Sequence, residues 1–262
     1  MFADAQAYDR FMGRWSKLVA PLLVEFAGVP DGANILDVGS GTGSLAESIL
    51  ERRPKCQVTG IDPSSEYIAY AQSQTRSDRI RFQTGDAQKL NFGSGAFDHS
   101  LSLLVFNFIP DPKQALLEVR RVTKSAGCIA AAVWDYGRDM QMLRVFWDAA
   151  VALDSAAEKL DEKHMPLCRS GELSQLWRQA ALERIEERPL DISMKFESFR
   201  DLWDPFLLGQ GPAGAYVAKL PRDRWPRLAE EVKRRLMLVR DSAPFTLKGR
   251  VWAVRGFVPR GG

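Results

Sequence analysis

Residues that most often hold metals or act as nucleophiles are scarce in this chain: two histidines and three cysteines among 262 residues. Cys56, Cys128 and Cys168 stand far apart with no Cys-x-x-Cys spacing. That argues against a disulfide framework and a zinc site, predicts no metal, and suits a reducing compartment. No apolar stretch reaches the ~18 residues needed to span a bilayer. The first ten residues carry acids and no apolar core, unlike a secretory leader. Charge is nearly balanced, with 36 basic and 33 acidic residues, and no long basic run gives a case for nucleic acid. These absences lead to the expectation of a cytoplasmic protein with neither nucleic acid nor a membrane as partner. The oligomeric state stays open.

What the chain does have is a sharp feature near its start. Ile35-Leu36-Asp37-Val38 is an apolar run containing one acid, and Gly39, Gly41 and Gly43 follow at alternate positions before a helical pattern begins. Glycine lets the backbone turn tightly and approach a ligand closely, beside a helix N-terminus. A second acid, Asp62, ends the next apolar run, Val58 to Ile61. In a doubly wound α/β sheet that position faces the ribose of a bound nucleoside. The dinucleotide fingerprint G-x-G-x-x-G/A requires a small apolar residue where Ser44 stands, and the third glycine comes one residue early.

The spacing D-x-G-x-G-x-G instead resembles the first motif of class I S-adenosylmethionine-dependent methyltransferases. The resemblance implies that the loop containing Gly39, Ser40, Gly41 and Gly43 carries the methionine part of the cofactor. It also implies that Asp62, followed by Pro63, binds both ribose hydroxyls, since a carboxylate can accept from both. Further along, Gly85-Asp86-Ala87 is similar to the family's adenine segment, with Asp86 accepting from the adenine amino group and Ala87 leaving room for the ring. Leu101 to Ile109 looks like the fourth strand. Asp111-Pro112 then starts a helix as an N-cap acid with proline behind it. Arg121 to Val133 resembles the family's "RVLKPGG" turn and fifth strand, with Ser125 and Ala126 replacing the proline and one glycine. The match is good over residues 33 to about 135. It implies a doubly wound, seven-stranded, mostly parallel α/β sheet of Rossmann-like form with strand seven antiparallel and helical cap insertions. S-adenosylmethionine is the implied cofactor and S-adenosylhomocysteine the product. The subgroup it resembles is the ubiquinone/menaquinone-biosynthesis type, which acts on small molecules.

Organisation follows from that frame. Residues 1–32 are expected to form an N-terminal helical lid segment, with Tyr8, Arg14 and Trp15 over the cofactor. The core is expected at 33–192 and 245–262, with Leu182 to Ile192 as strand six and Phe245 to Phe257 as strand seven. Insertions at 135–169 and 193–244 start at the carboxyl edge of the sheet, where such folds bind ligands. They are expected to cap an acceptor pocket including Trp134, Tyr136 and Trp203. Ser170 is the expected N-cap of the helix that follows the first insertion. Between Lys219 and Arg240 lie eight basic residues. Trp225, Leu228, Val232, Leu236 and Val239 interleave with them as the apolar stripe of an amphipathic helix, and the basic face over 222–240 reads as solvated.

The expected function is in-line methyl transfer from S-adenosylmethionine to a small acceptor, whose reacting atom (O, N or C) is not legible. Alternatives are a non-catalytic cofactor-sensing module and an NAD(P)-dependent oxidoreductase. An oxygen or carbon acceptor often needs a base. His99 lies at the wrong end of its strand, and His164, in the first insertion, is the remaining histidine candidate. No cysteine sits at the end of strand four for covalent pyrimidine chemistry, and Asn/Asp-Pro-Pro-Tyr is absent there.

Overall fold

Each strand of the sheet takes its place from where its apolar residues fall. The computed structural model describes residues 5–260, so residues 1–4 of the expected lid segment, and 261–262, lie outside the described residues. In chain order the elements are α1 (Ala5–Tyr8), a π-helical turn (Asp9–Gly13), α2 (Arg14–Ala27), β1 (Asn34–Val38), α3 (Ser44–Arg52), β2 (Gln57–Asp62) and α4 (Ser65–Gln74). Then follow β3 (Ile80–Thr84), β4 (His99–Leu103), α5 (Pro112–Val122), β5 (Cys128–Trp134), α6 (Gln141–Leu153), α7 (Glu172–Gln179) and β6 (Glu183–Phe196). The chain closes with α8 (Phe199–Trp203), α9 (Gly211–Lys219), α10 (Trp225–Arg235) and β7 (Phe245–Phe257).

The seven strands lie in the order β3-β2-β1-β4-β5-β7-β6. β1 through β5 pair in parallel, and β7 runs antiparallel to β5 with Cys128 opposite Phe257. This is the mostly parallel Rossmann-like sheet that the resemblance implies. β5 is buried at every residue, as a parallel strand covered on both faces must be. β4 carries two buried serines and satisfies both: Ser100 Oγ lies 2.7 Å from Thr123 Oγ1, and Ser102 Oγ donates to the Val38 carbonyl at 2.8 Å.

The chain divides into two compact units. Among the described residues, one, the sheet unit, comprises 13–134, 166–190 and 251–260, and the other comprises 5–12, 135–165 and 191–250. The N-terminal segment, read from sequence as one piece, thus changes unit between Met12 and Gly13. In the second unit Phe146 stacks on Phe206 at 4.5 Å, Phe11 meets Phe206 edge-on at 5.1 Å, and Trp203 lies 6.1 Å from Phe206. Nearby, Arg144 holds the buried Asp161 through both oxygens, at 2.7 and 2.8 Å.

Several local expectations change, among them the helix expected over 222–240, since α10 ends at Arg235. The apolar run Leu101 to Ile109 is not one strand: β4 ends at Leu103 because Leu104 adopts φ +64, and a 3-10 turn follows at Phe106–Phe108. Apolar periodicity cannot register such a reversal. Ser170 does not cap α7. Gly171 occupies that position, and the carboxylate of Glu187 on β6 accepts from the backbone amides of Gly171 and Ser174. Strand six extends to Phe196, four residues beyond its expected end.

Candidate functional site

The sheet unit builds the site from the ends of β1 and β2. Gly39, Gly41 and Gly43 adopt φ of +74, +51 and +91, a region that favours glycine. Two further features need the missing side chains. A Cβ on Gly39 would lie 2.4 Å from the Val105 side chain, and one on Gly60 of β2 would lie 2.5 Å from the Phe82 ring and 2.8 Å from Ser40 Cβ. Gly41 is different: nothing lies within 4 Å of the position its Cβ would take, so its outer side is open. α3 begins directly after Gly43.

The loop spends its own amides. Gly39 and Ser40 N–H both donate to the Ile61 carbonyl at 2.8 Å, and Gly43 N–H donates to Ser40 O at 2.8 Å. Gly41 N–H donates to Oδ2 of Asp62 at 3.0 Å. A phosphate cradle needs such amides turned outward toward the anion. Here they are turned inward, which disfavours a pyrophosphate at this loop and so a dinucleotide.

Asp62 ends β2 with 9% of its surface exposed. Its Oδ1 accepts from Ser64 N–H at 2.9 Å and its Oδ2 from Gly41. A carboxylate offers about four lone-pair sites, so each oxygen keeps capacity for one hydroxyl of a ribose diol. Burial raises its pKa, and the two amide donors oppose that shift. Ser64 also caps α4, accepting from Tyr67 N–H at 3.2 Å, which fixes the turn through Pro63.

Asp37 is wholly buried, and neither of its carboxylate oxygens has a hydrogen-bond partner among the described residues. Burial first, and repulsion by Asp62 second, push its carboxyl up to about 8, with the backbone of Ala46 in the first turn of α3 pulling the other way. Ser40 Oγ is likewise buried without a partner among the described residues. Orphaned polar atoms beneath an open glycine loop, with a free diol acceptor beside it, fit an adenosyl cofactor carrying a polar amino-acid tail.

The adenine candidates lie after β3. Asp86 is exposed and already engaged: its Oδ1 accepts from Gln88 N–H at 2.8 Å, and both oxygens lie within 3.3 Å of Gln88 Nε2. Gln88 Oε1 in turn accepts from Asp111 N–H at 3.0 Å, while Asp111 caps α5. Ala87 follows, half-buried. Val105, Gly60 and Gln88 were not singled out from the sequence. A glycine inside a strand pattern is the signal for close approach at Gly60, and Asp-x-Gln is the signal for a side-chain turn at Gln88. Nothing in sequence marks Val105.

The remaining residues are distributed as follows. Arg14 stacks its guanidinium 4.1 Å from the buried Trp15 ring in the sheet unit. Tyr8 lies in α1 of the second unit, as do the buried Tyr136 and Trp203. Trp134 ends β5 in the sheet unit, its indole N–H buried without a partner among the described residues. His99 Nδ1 accepts from Cys128 N–H at 3.0 Å, and burial lowers its pKa, a structural arrangement. His164 is 52% exposed in the second unit, its Nε2 3.2 Å from Glu158. Glu162, missed from sequence, is buried against Trp147, whose indole N–H donates to it at 2.8 Å, and burial raises its carboxyl to about 7. Among the described residues no group of three or more His, Cys, Asp or Glu gathers as metal ligands.

Comparison with known proteins bears on the same region. A family described as "Methyltransferase domain" matches residues 36–131. The 2-methyl-6-phytyl-1,4-hydroquinone methyltransferase of a Synechocystis species is 33% identical over 124 residues, 47% of this chain and 39% of that protein. The ubiquinone/menaquinone biosynthesis C-methyltransferase UbiE of Paracoccus denitrificans is 32% identical over 126 residues, 45% of this chain and 49% of that protein. The matched region thus spans about half or less of these relatives' own length. In fold, the chain resembles Haemonchus contortus phosphoethanolamine N-methyltransferase 2, solved with phosphomonomethylethanolamine and S-adenosylhomocysteine. That likeness has a TM-score of 0.61 at 16% identity, over 98% of this chain and 57% of that one.

Proposed function

We propose, from the premise that residues 36–131 are a class I S-adenosylmethionine-dependent methyltransferase domain of the quinone-biosynthesis type, that this protein methylates a small-molecule acceptor. The observation that carries the reading is Asp62, held by Gly41 and Ser64 with capacity left for a diol, beneath a loop whose amides are consumed internally. When bound, S-adenosylmethionine would supply an electrophilic methyl carbon, open to in-line attack by an oxygen, nitrogen or carbon of the acceptor, with the sulfur leaving as the neutral thioether of S-adenosylhomocysteine.

The chain's own residues bind and orient. Asp62 accepts from the ribose hydroxyls. Asp86 accepts from the adenine amino group on the oxygen capacity that Gln88 leaves, and Ala87 keeps the ring plane clear. The loop Gly39 to Gly43, Ser40 included, with Asp37 of β1 just before it, receives the amino-acid tail. Tyr8, Arg14 and Trp15 are the lid residues of this proposal. Positioning and exclusion of water supply much of the acceleration for such a displacement. The insertions at 135–169 and 193–244 supply the acceptor-binding elements, with Trp134, Tyr136 and Trp203 as lining candidates. Because the relatives carry hydroquinone and menaquinone names, an aromatic hydroquinone or phenol is the acceptor class to try first. We place the protein in the cytoplasm and assign it no nucleic-acid partner. The relatives reported are methyltransferases, which leaves the oxidoreductase reading without support.

Parallel calorimetric titration with S-adenosylmethionine, S-adenosylhomocysteine and NADH tests the cofactor. Binding of the two adenosyl ligands alone supports the proposal, and binding of NADH instead overturns it. Methyl-labelled cofactor with quinol, phenol and amine acceptors then tests transfer. Binding without transfer to any of them supports the sensor alternative.

A further inference from the structure

The sequence places Leu236 and Val239 on the apolar stripe of a helix reaching Arg240, but α10 ends at Arg235. Met237 adopts φ +53. The turn is closed by Met237 N–H donating to Arg234 O at 3.1 Å and Leu238 N–H donating to Lys233 O at 3.3 Å. This pair of bonds is the Schellman arrangement, whose left-handed residue is usually glycine. A Cβ is disfavoured there, so the turn does not account for methionine. The core does not account for it either. Met237 is 86% and Val239 96% exposed, against 53% for Leu160, the next most exposed large hydrophobic among the described residues. Backbone conformation and burial both disfavour an apolar side chain at 237, and one stands there. Such local inconsistency is expected where function sets the residue.

The surroundings indicate the occupant. Arg234 and Arg235 precede the apolar run Leu236 to Val239, and Arg240 follows it. From Lys219 to Asp241 there are eight basic and four acidic residues, a net +4 in a chain of net +3. Some of that charge is offset locally: Glu231 pairs with Arg234 and Arg235, and Lys233 with Glu230 and Asp241. Arg222, Arg224, Arg227 and Arg240 are exposed. The turn is also anchored behind its tip, where Phe199 N–H donates to Asp241 O at 2.9 Å and Lys233 reaches Asp241 at 2.7 Å. An apolar tip flanked by Arg240, at one end of a helix whose other end carries Arg222, Arg224 and Arg227, matches the interface of an anionic bilayer, where apolar side chains enter the acyl boundary and cations meet phosphates. The net positive charge of the segment opposes pairing with a second copy of this face.

We propose that the Leu236–Val239 turn docks on an anionic phospholipid surface, with Met237 and Val239 entering it and the exposed arginines meeting lipid phosphates. This is surface attachment and needs no spanning helix; no helix among the described residues is long and apolar enough to cross a membrane. It stands apart from the methyl-transfer reading.

The test is co-sedimentation of the purified full chain with vesicles of phosphatidylcholine alone and of phosphatidylcholine mixed with phosphatidylglycerol. Binding to the mixed vesicles is expected to be about tenfold tighter and to weaken with added salt. Met237→Gly with Val239→Ser is expected to lower that binding about tenfold while leaving the melting temperature unchanged or higher, because glycine suits the left-handed position. No binding to mixed vesicles, equal binding to both vesicle types, or a double variant that binds like the parent would each overturn the proposal. A concentration-dependent dimer abolished by the double variant would assign the turn to self-association and overturn it equally.

Discussion

Gly41 donates its backbone N–H to Oδ2 of Asp62 at 3.0 Å, tying the glycine loop after β1 to the acid that ends β2. Loop and carboxylate are therefore one assembled unit. Asp62→Ala is expected to weaken S-adenosylmethionine binding by at least about tenfold, since it removes a charge-assisted acceptor and a loop anchor together. Calorimetry measures this directly, and retained affinity would remove Asp62 from the ribose role.

Gly39 faces Val105 with no room for a methyl group. Gly39→Ala is expected to destabilise the fold by about 2–4 kcal/mol, combining left-handed strain and overpacking. Adding Val105→Ala should recover only part of the packing cost, because Val105 Cβ itself lies 2.9 Å from that position, and should leave the strain. Denaturant unfolding reads both, and a Gly39→Ala protein as stable as the parent would contradict the geometry.

Asp37 sets a pH dependence. Its carboxyl stands at about 8 in the folded protein against an ordinary 3.8. Between those values the folded state keeps a proton that the unfolded chain releases, so stability falls as pH rises from about 4 through about 8. Asp37→Asn should flatten that part of the profile, gaining on the parent steadily toward alkaline pH. Thermal melts from pH 5 to pH 9 measure it; parallel curves would show Asp37 ionised in the fold.

Glu187 caps α7 from a neighbouring strand. Glu187→Ala should cost about 1 kcal/mol, the usual value of a lost N-terminal cap. Hydrogen exchange should quicken first at the amides of Gly171 and Ser174, and unchanged exchange there would argue against the cap.

His164 is largely in solvent beside Glu158. His164→Ala is expected to leave kcat within about twofold, as for a surface substitution. A fall of tenfold or more would make it the base for the acceptor.

The glycine loop and the acid after the next strand were legible because their signal is local. Three glycines at alternate positions and an acid at the end of the next strand lie within 30 residues of one another, and the backbone geometry realises that pattern. Strand seven was legible from Phe245 to Phe257 because buried and half-buried residues alternate over 249–253 of it. What escaped depends on contacts distant in sequence. Val105 meets Gly39 across 66 positions, and Glu187 caps a helix that began 15 residues earlier. Leu104 and Met237 escaped for another reason: each reverses the backbone at a residue type that gives no sign of it. Nothing in the sequence marks Glu162, and only burial against Trp147 distinguishes it.

If the loop holds the adenosyl cofactor as proposed, its inward-turned amides would carry a kinetic cost. A site that is bonded to itself and holds its ligand through ribose and adenine grips what the methyl donor and its spent form have in common. It has little means of telling the two apart, so turnover would slow as the demethylated nucleoside accumulates. Sustained activity would then depend on another enzyme that hydrolyses or otherwise removes that by-product.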